Sequence, residues 1–161
     1  MEGWSNFFLG ELSAAAALAG LLFVAVSVNQ ARILELGRIA DRGIEALAML
    51  FLVLVVASIP LMPGQPARHI GAEILLIAGG TLLMLVPVQR AYHQAVDPEY
   101  RRRSGQMAWL NRIAMMSIAL GGLVTLWRGD GGGLYLVAIG ILATFLAVGA
   151  NAWVLPIEIN R

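Results

Sequence analysis

Apolar residues occupy five long runs of the chain that contain no charged side chain. These runs cover residues 12–31, 46–67, 74–89, 113–127 and 131–157. A helix needs about 20 residues to cross a hydrocarbon layer roughly 30 Å thick. The third and fourth runs reach that length when Glu73 and Arg112 belong to the first turns of their helices. The pattern therefore predicts one all-α domain over residues 1–161, an integral membrane bundle with transmembrane helices at about 8–31, 43–62, 70–92, 106–127 and 133–156.

The composition agrees with a membrane protein and excludes several kinds of chemistry. Hydrophobic residues make up 59% of the chain, charged residues make up 13%, and the mean hydropathy is +0.78. A soluble domain is about a quarter charged. The chain contains neither lysine nor cysteine, so it has no phosphate-loop lysine, Schiff base, disulfide or thiolate. His69 and His93 are predicted at opposite membrane faces and cannot share a metal or haem. We therefore expect neither an enzyme nor a cofactor.

The arginines predict the orientation, because short loops rich in positive charge stay on the cytoplasmic side. When the five runs cross the membrane alternately, one face receives Arg32, Arg38, Arg42, Arg90, Arg101, Arg102, Arg103, Arg112 and Arg161. The other face receives only Arg68 and Arg128. The N-terminus is therefore expected outside and the C-terminus inside.

The densest positive cluster of the chain is the run Arg101, Arg102 and Arg103. A basic run beside a membrane is attracted to anionic lipids by about 1 kcal/mol per residue. We expect these side chains to contact anionic lipids, and a docking site for a cytosolic protein is the alternative. Nucleic-acid binding is not expected of a short cluster within a membrane loop.

Polar residues near or within the helices are the candidate site. The candidate pathway or interhelical residues are Glu11, Asn29, Glu45, Glu73, Asn111, Arg112, Thr125, Thr144 and Asn151. Several share a helix face with small residues, as Gly140, Thr144 and Asn151 do on helix five. Two interpretations remain open. The faces are packing seams, or they line a narrow hydrated pathway in one chain or at an oligomer axis. The bilayer centre has no predicted ionisable residue, which disfavours a pump.

Glu45 and Arg112 are predicted at matching depth, near the cytoplasmic ends of helices two and four. An unpaired arginine at the hydrocarbon boundary would be costly. We expect these two residues to pair, with Asn29, Asn111 or Asn151 as a bridge. In the alternative interpretation, each side chain reaches the lipid headgroups separately.

The first 65 residues carry a resemblance to known proteins. Residues 4–11 read WSNFFLGE, residues 14–29 read AAAALAGLLFVAVSVN, and helix two contains Glu45-Ala46-Leu47 and Val55-Val56-Ala57-Ser58. This text resembles a group of small bacterial membrane proteins that are often labelled modulators of the membrane protease FtsH. The resemblance implies a multi-pass protein of the bacterial inner membrane with an accessory role. It carries over no catalytic residue.

Two functions from different classes fit these observations. The first is a homo-oligomeric passive channel or facilitator for an ion or small solute, lined by the polar faces of helices one and five. The alternative is a non-conducting accessory or regulatory subunit that docks another membrane protein, for example a membrane protease. The number of polar faces favours the channel, because a single docking seam requires fewer. Membrane lipids and further copies of the chain are the expected partners.

Overall fold

The computed structural model describes residues 3–28, 38–95 and 98–159, and it describes side chains over residues 3–28, 43–91 and 105–150. The regular elements in these ranges are all helical. The α-helices are α1 (Ser5–Val28), α2 (Arg38–Ser58), α3 (Ala67–Ala95), α4 (Pro98–Arg128) and α5 (Leu134–Ile159). Short 3-10 segments at Ile59–Leu61 and Gly131–Gly133 lie at the turns.

Each α-helix contains a stretch long and apolar enough to cross a membrane. These stretches are Ser5–Val28, Gly43–Leu61, Ala67–Ala91, Gly105–Arg128 and Gly131–Ala150, the last beginning in the 3-10 segment before α5. The prediction of an all-α chain with five such helices is confirmed for the described residues. The direction in which the helices cross the membrane stays a prediction.

The helix bounds differ most from the expected ones at the start of α4, which was expected at about residue 106 and lies at Pro98. Helix α3 continues through Pro87 to Ala95, three residues beyond the expected end at about residue 92. A proline inside a helix removes one backbone hydrogen bond, and packing of the buried Leu85 and Gln89 on either side offsets that loss. Helix α4 begins at Pro98, where a proline at the first helical position is favourable, and runs without a break past Gly105.

Glycines with left-handed backbone conformations form the two short turns. Gly64 has φ of 76° after the 3-10 segment that follows α2, and Gly129 has φ of 70° after α4. Asp130 then caps the next 3-10 segment, because its Oδ1 accepts a hydrogen bond of 2.8 Å from the Gly132 backbone N–H. Its Oδ2 lies 3.1 Å from the Arg128 Nε. We call this end of the bundle the turn end.

Asp130→Asn tests the charge at this cap. The Gly132 N–H and then the Arg128 side chain lower the pKa of Asp130 below its ordinary value of 3.8. The pKa of Asp130 is lower in the folded chain than in the unfolded chain. Its charge therefore stabilises the fold at pH values above the ordinary pKa, and this stabilisation is lost as the pH falls through the folded pKa. The variant should unfold at a slightly lower temperature than the native chain at pH 7, and the two should converge once the pH has fallen below the folded pKa of Asp130. A melting difference that persists at acid pH would contradict this assignment.

Glycines also hold α3, α4 and α5 together at backbone distance. A Cβ atom on Gly71 of α3 would lie 2.3 Å from the Leu126 backbone nitrogen of α4. On the other side of α4, a Cβ atom on Gly133 would lie 2.2 Å from the Gly121 carbonyl oxygen. Small residues permit such close approach of membrane helices. Helix α4 is therefore packed between its two neighbours with no room for a side chain at these crossings.

Helix α1 packs mainly on α2. Its buried side chains Phe8, Ala15, Ala19 and Leu22 are spaced by seven, four and three residues, which places them on one helix face. At the turn end, the Trp4 ring lies 4.8 Å from that of Tyr135 at the start of α5. These contacts leave the opposite face of α1 uncovered by the rest of the described chain.

Candidate functional site

Four polar side chains from three helices meet at the end of the bundle opposite the turns. Glu45 is near the start of the membrane stretch of α2, Gln89 is near the end of that of α3, and Asn111 and Arg112 are in α4. The helices alternate in direction, so these positions fall at one level. Gln89 is 3% exposed and Asn111 is 1% exposed. We call these four residues the polar cluster.

Hydrogen bonds connect the polar cluster in a chain. Asn111 Nδ2 donates to Glu45 Oε1 at 2.7 Å, and Gln89 Nε2 donates to the same oxygen at 2.5 Å. Arg112 Nε donates to Gln89 Oε1 at 2.7 Å. The Gln89 amide therefore joins the carboxylate to the guanidinium. An amide side chain offers a donor to one partner and an acceptor to the other.

The energetics of this arrangement follow from its low-dielectric surroundings. A hydrogen bond to a charged group is worth about 1.5–3 kcal/mol, and a buried polar group without its partner costs about 1–3 kcal/mol. Glu45 and Arg112 carry opposite charges, so the cluster is neutral as a whole. One acceptor is unsatisfied, because Asn111 Oδ1 is buried and has no hydrogen-bond partner. The cluster thus ties α2, α3 and α4 together at this end.

Arg112 lies at the outer edge of the polar cluster. It is half-buried, and its guanidinium carbon lies 5.9 Å from the centroid of the Trp109 ring, which is a favourable position for a cation. Trp109 itself is 61% exposed. Within the described part of the chain, the terminal Nη groups of Arg112 have no protein acceptor. The bond from Nε to Gln89 fixes the plane of the guanidinium while these donors remain available.

The other predicted acidic residues lie elsewhere. Glu73 accepts bonds of 3.2 and 3.3 Å from Gln65 Nε2 near the turn end. Glu11 is half-buried on α1, beside the face that packs on α2. Neither residue is part of the polar cluster.

The two predicted threonines lie inside helix contacts. Thr125 and Thr144 are both 0% exposed. Their hydroxyls donate to backbone carbonyls one turn earlier in the same helix, at Gly121 and Gly140, each at 2.9 Å. A Cβ atom on Gly140 would lie 2.8 Å from the Ala114 carbonyl oxygen, so this stripe of α5 faces α4 at backbone distance. These hydroxyls have donated their only proton within the helix.

Several predicted residues fall outside the described side chains. Asn29 lies outside the described residues altogether. Asn151 belongs to α5 and Arg101, Arg102 and Arg103 belong to α4, but only their backbone is described. Their expected contacts stay predictions.

The sequence interpretation missed Gln89 as the residue that joins Glu45 to Arg112. It assigned that position to Asn29, Asn111 or Asn151, and Asn111 in fact bonds Glu45. A signal for Gln89 was present, because it is the amide that ends the uncharged run 74–89, two residues after Pro87. An amide kept at the end of an apolar run indicates a buried partner.

Comparisons with known proteins add no further constraint. No family model matches the chain, and neither the curated proteins nor the solved structures give a significant match. A function must therefore be argued from the residues and their geometry.

Thr144→Val tests whether this hydroxyl serves only its own helix. We expect the free energy of unfolding to change by less than about 1 kcal/mol, because valine keeps the shape of the side chain and the Gly140 carbonyl keeps its backbone bond. Thr144→Leu is the control, since it adds volume to a closed helix contact and should destabilise by about 1–3 kcal/mol. Unfolding in mixed micelles measures both. A much larger loss in the valine variant would reveal a second partner of the hydroxyl.

Proposed function

We propose that this protein is a non-conducting accessory subunit whose helix α1 docks a transmembrane helix of another membrane protein. The observation that carries the proposal is the uncovered face of α1. Small residues recur on it at helical spacing, and Gly10, Ser13, Ala17 and Gly20 are all exposed. No atom lies within 4 Å of a Cβ built on Gly10 or Gly20. We call these four residues the small face of α1.

The small face has the chemistry of a helix–helix contact in lipid. Lipid tails are as apolar as leucine, so membrane helices associate through close packing and hydrogen bonds rather than through the hydrophobic effect. Small side chains let two backbones approach closely. Ser13 Oγ already donates to the Leu9 carbonyl at 2.8 Å, so its hydroxyl leaves no unsatisfied donor towards lipid or a neighbour. The face extends over about three turns, roughly 15 Å.

The packing of the other helices supports an accessory role over conduction through the monomer. The number of small and polar helix faces was the reason to favour a channel, and Thr125 and Thr144, on the faces of α4 and α5, are buried in helix contacts. Among the described residues, α1 presents an uncovered face on which small and polar side chains recur at helical spacing. One such surface is what a docking subunit requires.

The first partner to test is a membrane protease, because the first 65 residues resemble proteins labelled as modulators of one. We place the protein in the bacterial inner membrane on the same basis. We further propose the orientation with the N-terminus outside, which the arginine distribution supports. These assignments are parts of the proposal.

Cross-linking in membranes tests the docking proposal. The chain has no cysteine, so Ala17→Cys provides a unique thiol in the small face. A heterobifunctional reagent on this thiol should capture a stoichiometric foreign membrane protein, identified by mass spectrometry. Gly20→Leu, which fills the face, should abolish the capture. Gly149→Leu is the matched control, because Gly149 is exposed on α5 and no atom lies within 4 Å of its added Cβ.

A homo-oligomeric passive channel remains the second candidate, and Glu11 is the observation that favours it. This carboxyl group lies within the membrane stretch of α1 and is half-buried at the edge of the contact with α2. Rings of acidic residues select cations in channels. If copies of the chain met along this edge, liposomes would conduct cations, and Glu11→Gln would reduce the conductance. Capture of a foreign partner without liposome conductance supports the accessory role instead.

A further inference from the structure

We propose that Arg112 and Trp109 form a binding site for one anionic phospholipid, with the lipid phosphate on the Arg112 Nη groups and an acyl chain along the adjacent face of α4. This site is separate from the small face of α1 and does not depend on the proposed function. The argument begins from the orientation of the guanidinium. Gln89 accepts from Arg112 Nε at 2.7 Å and is itself held by Glu45.

This fixed orientation prepares Arg112 for a phosphate. The terminal donors of an arginine match two oxygens of a phosphate with two parallel hydrogen bonds. In Arg112 these donors have no acceptor among the described side chains, while the Nε edge is already used. A guanidinium held in one plane loses less conformational freedom on binding than a free one. The polar cluster therefore serves as the support of the site.

The depth of Arg112 suits a lipid headgroup. Its bonded partner Gln89 lies two residues before the end of the membrane stretch at Ala91, which corresponds to about 3 Å along a helix. A long arginine side chain covers that distance towards the headgroups. The exposed Trp109 ring beside it is typical of the membrane boundary, where tryptophan is enriched.

Exposed apolar residues on α4 indicate a lipid rather than a free phosphate ion. Ile113, Met116 and Leu120 are 56%, 47% and 50% exposed. They follow Arg112 at one, four and eight positions, so they continue its side of the helix towards the bilayer centre. An acyl chain can lie on this strip while its phosphate binds Arg112. A free phosphate ion would make no use of it.

The charge at this end favours an anionic lipid over a zwitterionic one. Glu45 and Arg112 balance each other within the polar cluster. Arg90 follows Gln89 directly and is exposed, which adds one positive charge at this level. A zwitterionic headgroup would bring a further cation, whereas phosphatidylglycerol brings none.

Native mass spectrometry of the full chain in mild detergent tests the site. Dioleoyl phosphatidylglycerol and dioleoyl phosphatidylcholine are titrated separately, and retained lipid is counted. The native chain should retain one phosphatidylglycerol in preference to phosphatidylcholine. Arg112→Gln should weaken phosphatidylglycerol binding about fivefold. Arg112→Lys should show a smaller loss, because lysine keeps the positive charge although it cannot form the paired bonds. Arg128→Gln, at the turn end, should bind as the native chain does.

Two further measurements distinguish the lipid from other causes. Trp109→Ala leaves the polar cluster intact and should also weaken phosphatidylglycerol binding. If the Arg112 variants lost the lipid only because they fold poorly, Trp109→Ala would bind phosphatidylglycerol as the native chain does. If a folded Arg112→Gln variant bound phosphatidylglycerol with native affinity, the proposal would be overturned. Full displacement of the lipid by an equal concentration of inorganic phosphate would overturn the lipid assignment and leave an anion site.

Discussion

Gly71→Ala is expected to destabilise the protein by about 3 kcal/mol, because the added methyl group enters a backbone contact. The new Cβ would lie 2.3 Å from the Leu126 backbone nitrogen and 2.7 Å from the Gly122 carbonyl oxygen. Neither atom belongs to a flexible side chain, so relief requires α3 and α4 to separate. Separation along the whole contact also disturbs the polar cluster at its far end. Thermal or denaturant unfolding in mixed micelles measures the loss.

Gly80→Ala is the matched control, because it makes the same change in the same helix. No atom lies within 4 Å of a Cβ built on Gly80. Alanine has a higher helix propensity than glycine, so this variant should be unchanged or stabilised by up to about 1 kcal/mol. Equal effects of the two substitutions would show that the Gly71 contact is looser than described.

The second large effect is expected from Gln89→Leu, at about 3 kcal/mol of destabilisation. Leucine removes the donor to Glu45 and the acceptor from Arg112 in a residue that is 3% exposed. Both charged groups then lose a partner in a region of low dielectric. Gln106→Leu is the control, since Gln106 is an exposed glutamine of α4. It should change the unfolding free energy by less than about 0.5 kcal/mol.

A double-mutant cycle with Glu45→Gln and Arg112→Gln measures how strongly Gln89 couples the two charges. We expect the double variant to differ from the sum of the single variants by about 1 kcal/mol, since the residues share one hydrogen-bonded partner. Repeating the cycle in the Gln89→Leu background should reduce this coupling towards zero. Coupling that survives without Gln89 would mean that the two charges interact directly.

The elements of the fold were predictable because each depends on local sequence. Five apolar runs predict five membrane-length helices, although α4 begins at Pro98, ahead of the expected start at about residue 106.

Contacts between helices depend on their relative rotation, which a single sequence does not encode locally. In the sequence, Gly133 is part of a glycine-rich turn. In the structure it also lets the backbone of α4 approach closely, because it has no side chain. The threonine stripes were recognised as small and polar, but whether they face water or another helix is a tertiary property. Gln89 was overlooked as a bridge for the same reason, although its partners Glu45 and Arg112 were identified.

The adjacent Gly121 and Gly122 have a consequence for how the bundle can move. Consecutive helix residues point about 100° apart, so Gly122 meets the backbone of α3 while Gly121 meets that of α5. Rotation or translation of α4 away from one of these two helices would bring a larger side chain of α4 against the backbone of the other helix. Helices α3, α4 and α5 should therefore behave as one rigid body.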